Sequence, residues 1–327
     1  MNRIAAAAAW PAMLLCLCQT GCLSKPQVDA RNGDHNRVEQ AKGMNTVSAP
    51  SLQELGMASY DGIYDQPVTL SDGVYEGRPY VDGGAARPRL TLIESLYLVG
   101  NLAGNPGGNG REDAAVLLAE QASGSGTRIY LAVVGRDAAS MPINLGTALL
   151  GDRVQIISGR IQDLGVDLRL VRAGPKDAAC CPGELVDTRW HLIDGALLQQ
   201  KDAVLGRLST AEWSGQTWRL EEFGHERTMA GSPAITLRLE GQRVSGHGGC
   251  NNYFGGIEEG KEPGEIEVGM LAGTRMACEP QIMDLESAYM QALQQANRFS
   301  FLAGRLALGS VDADGAVTNL IFARAPD

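Results

Sequence analysis

Aromatic side chains are scarce in this 327-residue chain, with 5 Phe, 4 Trp and 8 Tyr making up 5% of it. Glycine, by contrast, is abundant at 41 residues. That balance disfavours a large helical bundle and suits many short strands joined by glycine-containing turns. Positive charge is also short: 28 Lys and Arg face 38 Asp and Glu, for a formal net charge of −10. Phosphate-rich polymers need a basic surface, so a nucleic-acid partner is excluded. The signature loops of common enzymes are missing as well. There is no Walker loop, no GxGxxG after a strand, no HExxH and no GxSxG elbow. The four histidines, His35, His191, His225 and His247, are scattered. No catalytic residue, resident metal or cofactor is therefore expected.

The N-terminus is more specific. Arg3 precedes the apolar run Ile4 to Leu17, which is too short for a spanning helix and is interrupted by Pro11. A basic start, an apolar stretch and small residues before a cleavage point describe an export signal. The ending Cys18-Gln19-Thr20-Gly21-Cys22 resembles the lipobox of bacterial lipoproteins, with Gln19 where that family prefers Leu. The resemblance implies a signal peptide over 1–22 and acylation of Cys22, which becomes the membrane anchor. With Leu23 and Ser24 following and no Asp beside the anchor, it further implies the outer membrane of a Gram-negative envelope, facing the periplasm. An ordinary cleaved signal peptide is the alternative. Of seven cysteines, cleavage removes Cys16 and Cys18 and acylation occupies Cys22. Four remain, Cys180, Cys181, Cys250 and Cys278, an even number suited to an oxidising compartment.

Residues 23–58 are polar and aperiodic, and read as a flexible tether. Residues 59–200 read as an antiparallel β domain. Val166, Leu168 and Leu170 alternate with Asp167 and Arg169, and Ile129, Leu131 and Val133 repeat the pattern. Val154 and Ile156 open another such run, while Leu90–Val99 and Ala114–Ala119 are apolar enough for central strands. Sandwich and curled sheet remain open alternatives. Residues 201–212 read as a connector to a second unit, 213–327. Its strands are expected at Thr217–Phe223, Ala234–Leu239, Gln242–Gly246, Glu265–Leu271, Arg305–Gly309 and Val317–Ala323. One amphipathic helix opens at Pro280, with Ile282, Leu285, Tyr289, Ala292, Leu293 and Ala296 on its apolar face. The fold class is mainly β, with few helices.

Two motifs of the second unit carry a family resemblance. Gly248-Gly249-Cys250-Asn251-Asn252-Tyr253-Phe254-Gly255-Gly256 resembles the GCN-(x)-(Y/F)-x-G signature of META domains, the HslJ-like heat-shock family. Thr274-Arg275-Met276-Ala277-Cys278, followed by Met283 and Glu286, resembles that family's later T-R-M-A-C stretch. The resemblance implies a compact antiparallel sheet with one packed helix. Within these motifs Cys250 and Cys278 are the natural disulfide candidates, and a nucleophilic Cys250 activated by His247 is the alternative. Arg275 and Glu286 suggest an ion pair or a binding feature, and Asn251 and Asn252 a groove lining or a turn.

Two features of the first unit stand apart. Adjacent Cys180 and Cys181 suggest a vicinal or structural disulfide, with a redox pair as the alternative. The loop Asn101–Asp113 is similar to calcium loops but lacks their carboxylates, and reads as a Gly/Asn-rich hairpin loop. Together the features imply a non-enzymatic envelope lipoprotein whose META-like domain binds partners or supports stability under envelope stress or during assembly. The alternatives are a periplasmic carrier or sensor of a small apolar ligand, and a thiol-dependent enzyme.

Overall fold

Strands Asp113–Gln121 and Thr127–Arg136 are apolar at nearly every position, because both of their faces are buried. Ala115, Leu117, Ile129, Leu131 and Val133 point to one side, and Ala114, Val116, Leu118, Tyr130, Ala132 and Val134 to the other. In a computed structural model these strands lie inside a five-stranded antiparallel meander. Its order is Val74–Glu76, Arg89–Gly100, Asp113–Gln121, Thr127–Arg136 and Pro142–Asp152. The structure describes residues 47–104, 111–121, 126–178, 181–224, 227–229, 232–311 and 317–326.

A four-stranded antiparallel sheet covers one face of the meander, in the order Ala196–Arg207, Glu184–Ile193, Gly165–Arg172 and Gln155–Gln162. Val166, Leu168 and Leu170 alternate inward as their spacing predicts, and with Ile156, Val186 and Trp190 they fill the space between the sheets. The arrangement is a sandwich.

The other face of the meander is covered by residues read from sequence as part of the tether. From Val47 onward that reading is corrected. Val47 bridges Arg111, and Ser51 caps the short helix Leu52–Leu55 through a capping box with Glu54. Ala49, Leu55, Ala58, Tyr60, Val68 and Leu70 are buried against the sheet. A four-residue helix has no readable period, and its stability comes from the apolar face it covers. Residues 23–46, with Cys22 and the export signal, lie outside the described residues.

The connector is also shorter than its composition suggests. Residues 201–207 complete the edge strand Ala196–Arg207, most of whose side chains are exposed and so lack alternation. Only Leu208 and Ser209, and the 3-10 turn Thr210–Trp213, join the two units.

The C-terminal unit is one antiparallel sheet that nearly closes into a barrel. Its main path runs Ile266–Val268, Asn252–Glu259, Arg243–His247, Thr236–Glu240, Thr217–Phe223, Val317–Arg324, Arg305–Val311 and Arg298–Leu302. The path's two ends meet where Phe299 N–H donates to Gly264 O at 2.7 Å and Ile266 N–H to Asn297 O at 3.0 Å. Gly264 has φ +76°, and a Cβ there would lie 2.6 Å from Phe299 O, so the closure needs glycine. The helix Pro280–Gln295 buries Tyr289, Ala292 and Leu293 on the predicted face, and Ala296 follows at its C-cap. The strands Asn252–Glu259 and Arg298–Leu302 add to those expected from sequence.

The two units are not beads on a string. Ile157, Val171 and Leu185, on the outer face of the four-stranded sheet, belong to the same buried cluster as Trp213, Trp218, Phe299 and Phe301. In return Ala303 enters the sandwich core. Gly304 N–H donates to Ile156 O at 2.9 Å, and Phe301 N–H to the Gln155 side chain at 3.0 Å.

Candidate functional site

The family-motif residues converge where the loop before strand Asn252–Glu259 meets the helix. Glu286 points its carboxylate back at that loop. Its Oε1 accepts Asn251 N–H at 2.6 Å and Cys250 N–H at 3.4 Å, and its Oε2 accepts Asn251 Nδ2 at 2.8 Å. The approach requires a bare neighbour: a Cβ on Gly248 would lie 2.6 Å from Oε1. Asn251, itself buried, accepts the Thr274 hydroxyl at 2.8 Å and Met276 N–H at 2.7 Å through Oδ1. Thr274 N–H donates to Asn252 O at 3.0 Å. The Cys250–Cys278 disulfide, with a Cα–Cα separation of 6.1 Å, fastens the same two segments.

Below this layer the Tyr253 hydroxyl donates to Thr236 O at 2.8 Å and lies 2.7 Å from the Tyr289 hydroxyl. Burial raises both phenols above their ordinary range, so they remain neutral hydrogen-bonding groups. Three readings left open by the sequence are decided here. Glu286 is held by the loop's N–H groups and the Asn251 side chain, and Arg275 is exposed with no ion pair among the described residues, so the expected Arg275–Glu286 pair does not form. Asn251 is interior to the network and lines no groove, whereas Asn252 is exposed. The Cys250 sulfur is bonded to Cys278, so it forms no nucleophilic pair with His247, whose Nδ1 accepts Gly249 N–H at 3.1 Å. Of the remaining motif residues, Met276 and Met283 are exposed, while Gly249 adopts φ +111° and Gly255 lies against Leu271.

In the sandwich, Cys180 lies outside the described residues, and Cys181 N–H donates to Ala178 O at 2.9 Å. Nearby, Asp177 accepts Gly174 N–H and Gly183 N–H at 2.8 Å each and pairs with Arg207. Burial alone would raise the Asp177 carboxyl, but these donors outweigh it and hold it below the ordinary range. Asp113 similarly accepts Leu102 and Ala103 N–H, closing the start of the Asn101 loop on itself. Among the described residues no group of three or more His, Cys, Asp or Glu is placed to hold a metal ion. No helix among them is long and apolar enough to cross a membrane.

A site that sequence reading missed lies between the units. A cleft of about 830 Å³ has the outer face of the four-stranded sheet as its floor, with Ala211, Glu212, Gln216 and Arg324 of the C-terminal half along it. Strand register sets Arg160, Asp167, Arg189 and Lys201 side by side across the sheet. Asp167 accepts Arg189 in a bidentate pair at 2.5 and 2.8 Å and Arg160 at 3.2 Å. The Arg189 guanidinium, helped by Arg160 and opposed by burial, holds Asp167 below the usual carboxylate range. In the next row Arg169 pairs with Asp187 at 2.9 Å and reaches Glu212 at 3.5 Å. The outward placing of Asp167 and Arg169 was legible from alternation. Their bidentate partners, Arg189 and Asp187, lie 22 and 18 residues away, which no local pattern reveals.

Residues 211–325 match the META domain family, so the C-terminal third of the chain is a META domain. A protein from Burkholderia xenovorans solved by NMR is similar at 26% identity, over 39% of this chain and 97% of that one, with a TM-score of 0.29. No curated protein matches the chain.

Proposed function

We propose that this chain is an envelope lipoprotein, anchored through Cys22 at the outer membrane and facing the periplasm. In this reading its META domain, HslJ-like in its motifs, serves as a non-enzymatic binding and stability module in envelope stress or assembly. The observation that carries the reading is the use of Glu286 and Asn251. The side chains of Glu286, Asn251 and Thr274 are spent on one another and on the backbone, as in a scaffold, so recognition falls to the surfaces this scaffold holds in place. The Cys250–Cys278 disulfide supports an oxidising compartment. The charged lining of the cleft favours a polar ligand over the carriage of an apolar one.

The test is fractionation with cross-linking in intact cells, comparing the wild type with Cys22→Ser. Release of a folded chain from the membrane fraction, with loss of a stoichiometric envelope partner, is the expected result. Continued membrane recovery of Cys22→Ser would overturn the anchoring.

A further inference from the structure

We propose that the cleft between the sandwich and the META barrel binds a small hydroxylated ligand through a doubly charged oxyanion, a phosphate monoester, seated against Lys201 and Arg324. The inference gives the binding module a ligand class and rests on that reading.

The charge count comes first. Arg160, Arg169, Arg189, Lys201 and Arg324 line the cleft against Asp167, Asp187 and Glu212, five cations to three carboxylates, a surplus of two in a chain whose net charge is −10. All three carboxylates are engaged by arginine: Asp167 by Arg160 and Arg189, Asp187 and Glu212 by Arg169. Neither Lys201 nor Arg324 has an ion-pair partner among the described residues. Arg324 instead lies over the Trp218 ring at 5.6 Å. The surplus is therefore localised on two residues, and a dianion neutralises it.

Register supplies the second argument. Lys201 stands directly opposite Arg189 on the neighbouring strand. Like charges facing one another across strands destabilise a sheet. Arg189 is already satisfied by Asp167, and among the described residues no carboxylate pairs with the ammonium of Lys201. An arrangement that costs stability and leaves an unpaired cation on the lining of a cleft is what an anion site requires before its ligand arrives. The carboxylates along the floor repel an extended polyanion, which favours a compact ligand. Ser158, Gln200 and Gln216 add hydrogen-bonding groups for hydroxyls around the charged end. A phosphate monoester reaches such a cleft either on a free metabolite or on a lipid headgroup, with the same chemistry at the protein.

Calorimetric titration of the full chain in detergent micelles tests this. The probes are glycerol 3-phosphate, glycerol as the uncharged control, and dihexanoyl phosphatidic acid, which carries the same monoester on a short lipid. Glycerol 3-phosphate is expected to saturate and glycerol to give no heat. Lys201→Glu should weaken binding at least tenfold while the melting temperature stays level or rises, and Arg324→Gln should weaken it several-fold. Tighter binding of the lipid probe identifies a headgroup as the source, and equal binding a free ester. Failure of both phosphates to bind, or binding unmoved by Lys201→Glu, overturns the proposal. Membrane fractionation of Cys22→Ser bears only on anchoring, so the two failures are separable.

Discussion

Glu286 and Asn251 are joined at two points, the carboxylate taking both the backbone N–H and the side-chain amide of the asparagine. This contact, 35 residues apart in sequence, ties the helix to the barrel at the loop that the disulfide also fastens.

Removing the carboxylate leaves the Asn251 N–H without its acceptor and its side-chain amide with only Met276 O, at 3.4 Å. Glu286→Ala should cost ~2–3 kcal/mol, the scale for losing charge-assisted hydrogen bonds at a sheltered site. Urea denaturation of the variant checks it, and a loss below ~0.5 kcal/mol would show that water replaces the carboxylate freely.

The disulfide closes a loop of 28 residues in sequence separation. On the chain-entropy model its removal by Cys250→Ser with Cys278→Ser should cost ~3–4 kcal/mol. Alkylation before and after reduction, followed by mass measurement, should show both cysteines protected until reduced.

Glu54 gives a pH dependence whose sign is determined. The Arg136 guanidinium and the Ser51 N–H hold its carboxyl down to about 2, from an ordinary 4.5. A depressed carboxyl stabilises the folded chain above the unfolded value, and that contribution fades as pH falls from about 4.5 towards about 2. Glu54 is partly exposed, so solvent screening reduces the size of the effect. Protection against hydrogen exchange across residues 47–60, measured relative to the intrinsic rate at each pH, should therefore fall in this window, and Arg136→Gln should flatten the response. Arg136 also donates to Ser48 O at 2.9 Å, so the variant should loosen the segment even at neutral pH.

The shared core predicts joint unfolding. Ile157 is 2% exposed and lies on a sandwich strand, yet it packs within the META cluster. Ile157→Ala should cost ~2–4 kcal/mol and shift both units together. Fluorescence of Trp213 and Trp218 should follow the same transition as far-UV circular dichroism. Two separated transitions would show that the interface contributes little.

Where side chains see one buried face or two, the fold was legible. Val166, Leu168 and Leu170 announced a half-buried strand, and Tyr289 and Leu293 the helix. The strand Asn252–Glu259 was hidden because Gly255 and Gly256 interrupt its apolar alternation, though at Gly255 the missing side chain allows a close contact: a Cβ there would meet Leu271 at 2.6 Å. The strand Ala196–Arg207 was half hidden because an edge strand buries little. At the candidate site the motif residues were found by resemblance, but their roles were not. The Arg275–Glu286 pairing looked natural from charge, yet backbone donors reach Glu286 first. The cleft was out of reach altogether, since the meeting of Arg189 with Lys201 depends on a bulged register between two strands.

The packing of residues 47–70 on the far face of the meander gives the molecule a direction. Reading through it, one passes from this segment to the five-stranded sheet, then the four-stranded sheet, then the META barrel. Stacked sheets lie about 10 Å apart, so the barrel stands tens of ångströms from the point where the chain enters. A change in the packing of residues 47–70 would therefore have to cross both sheets of the sandwich before it reached the barrel.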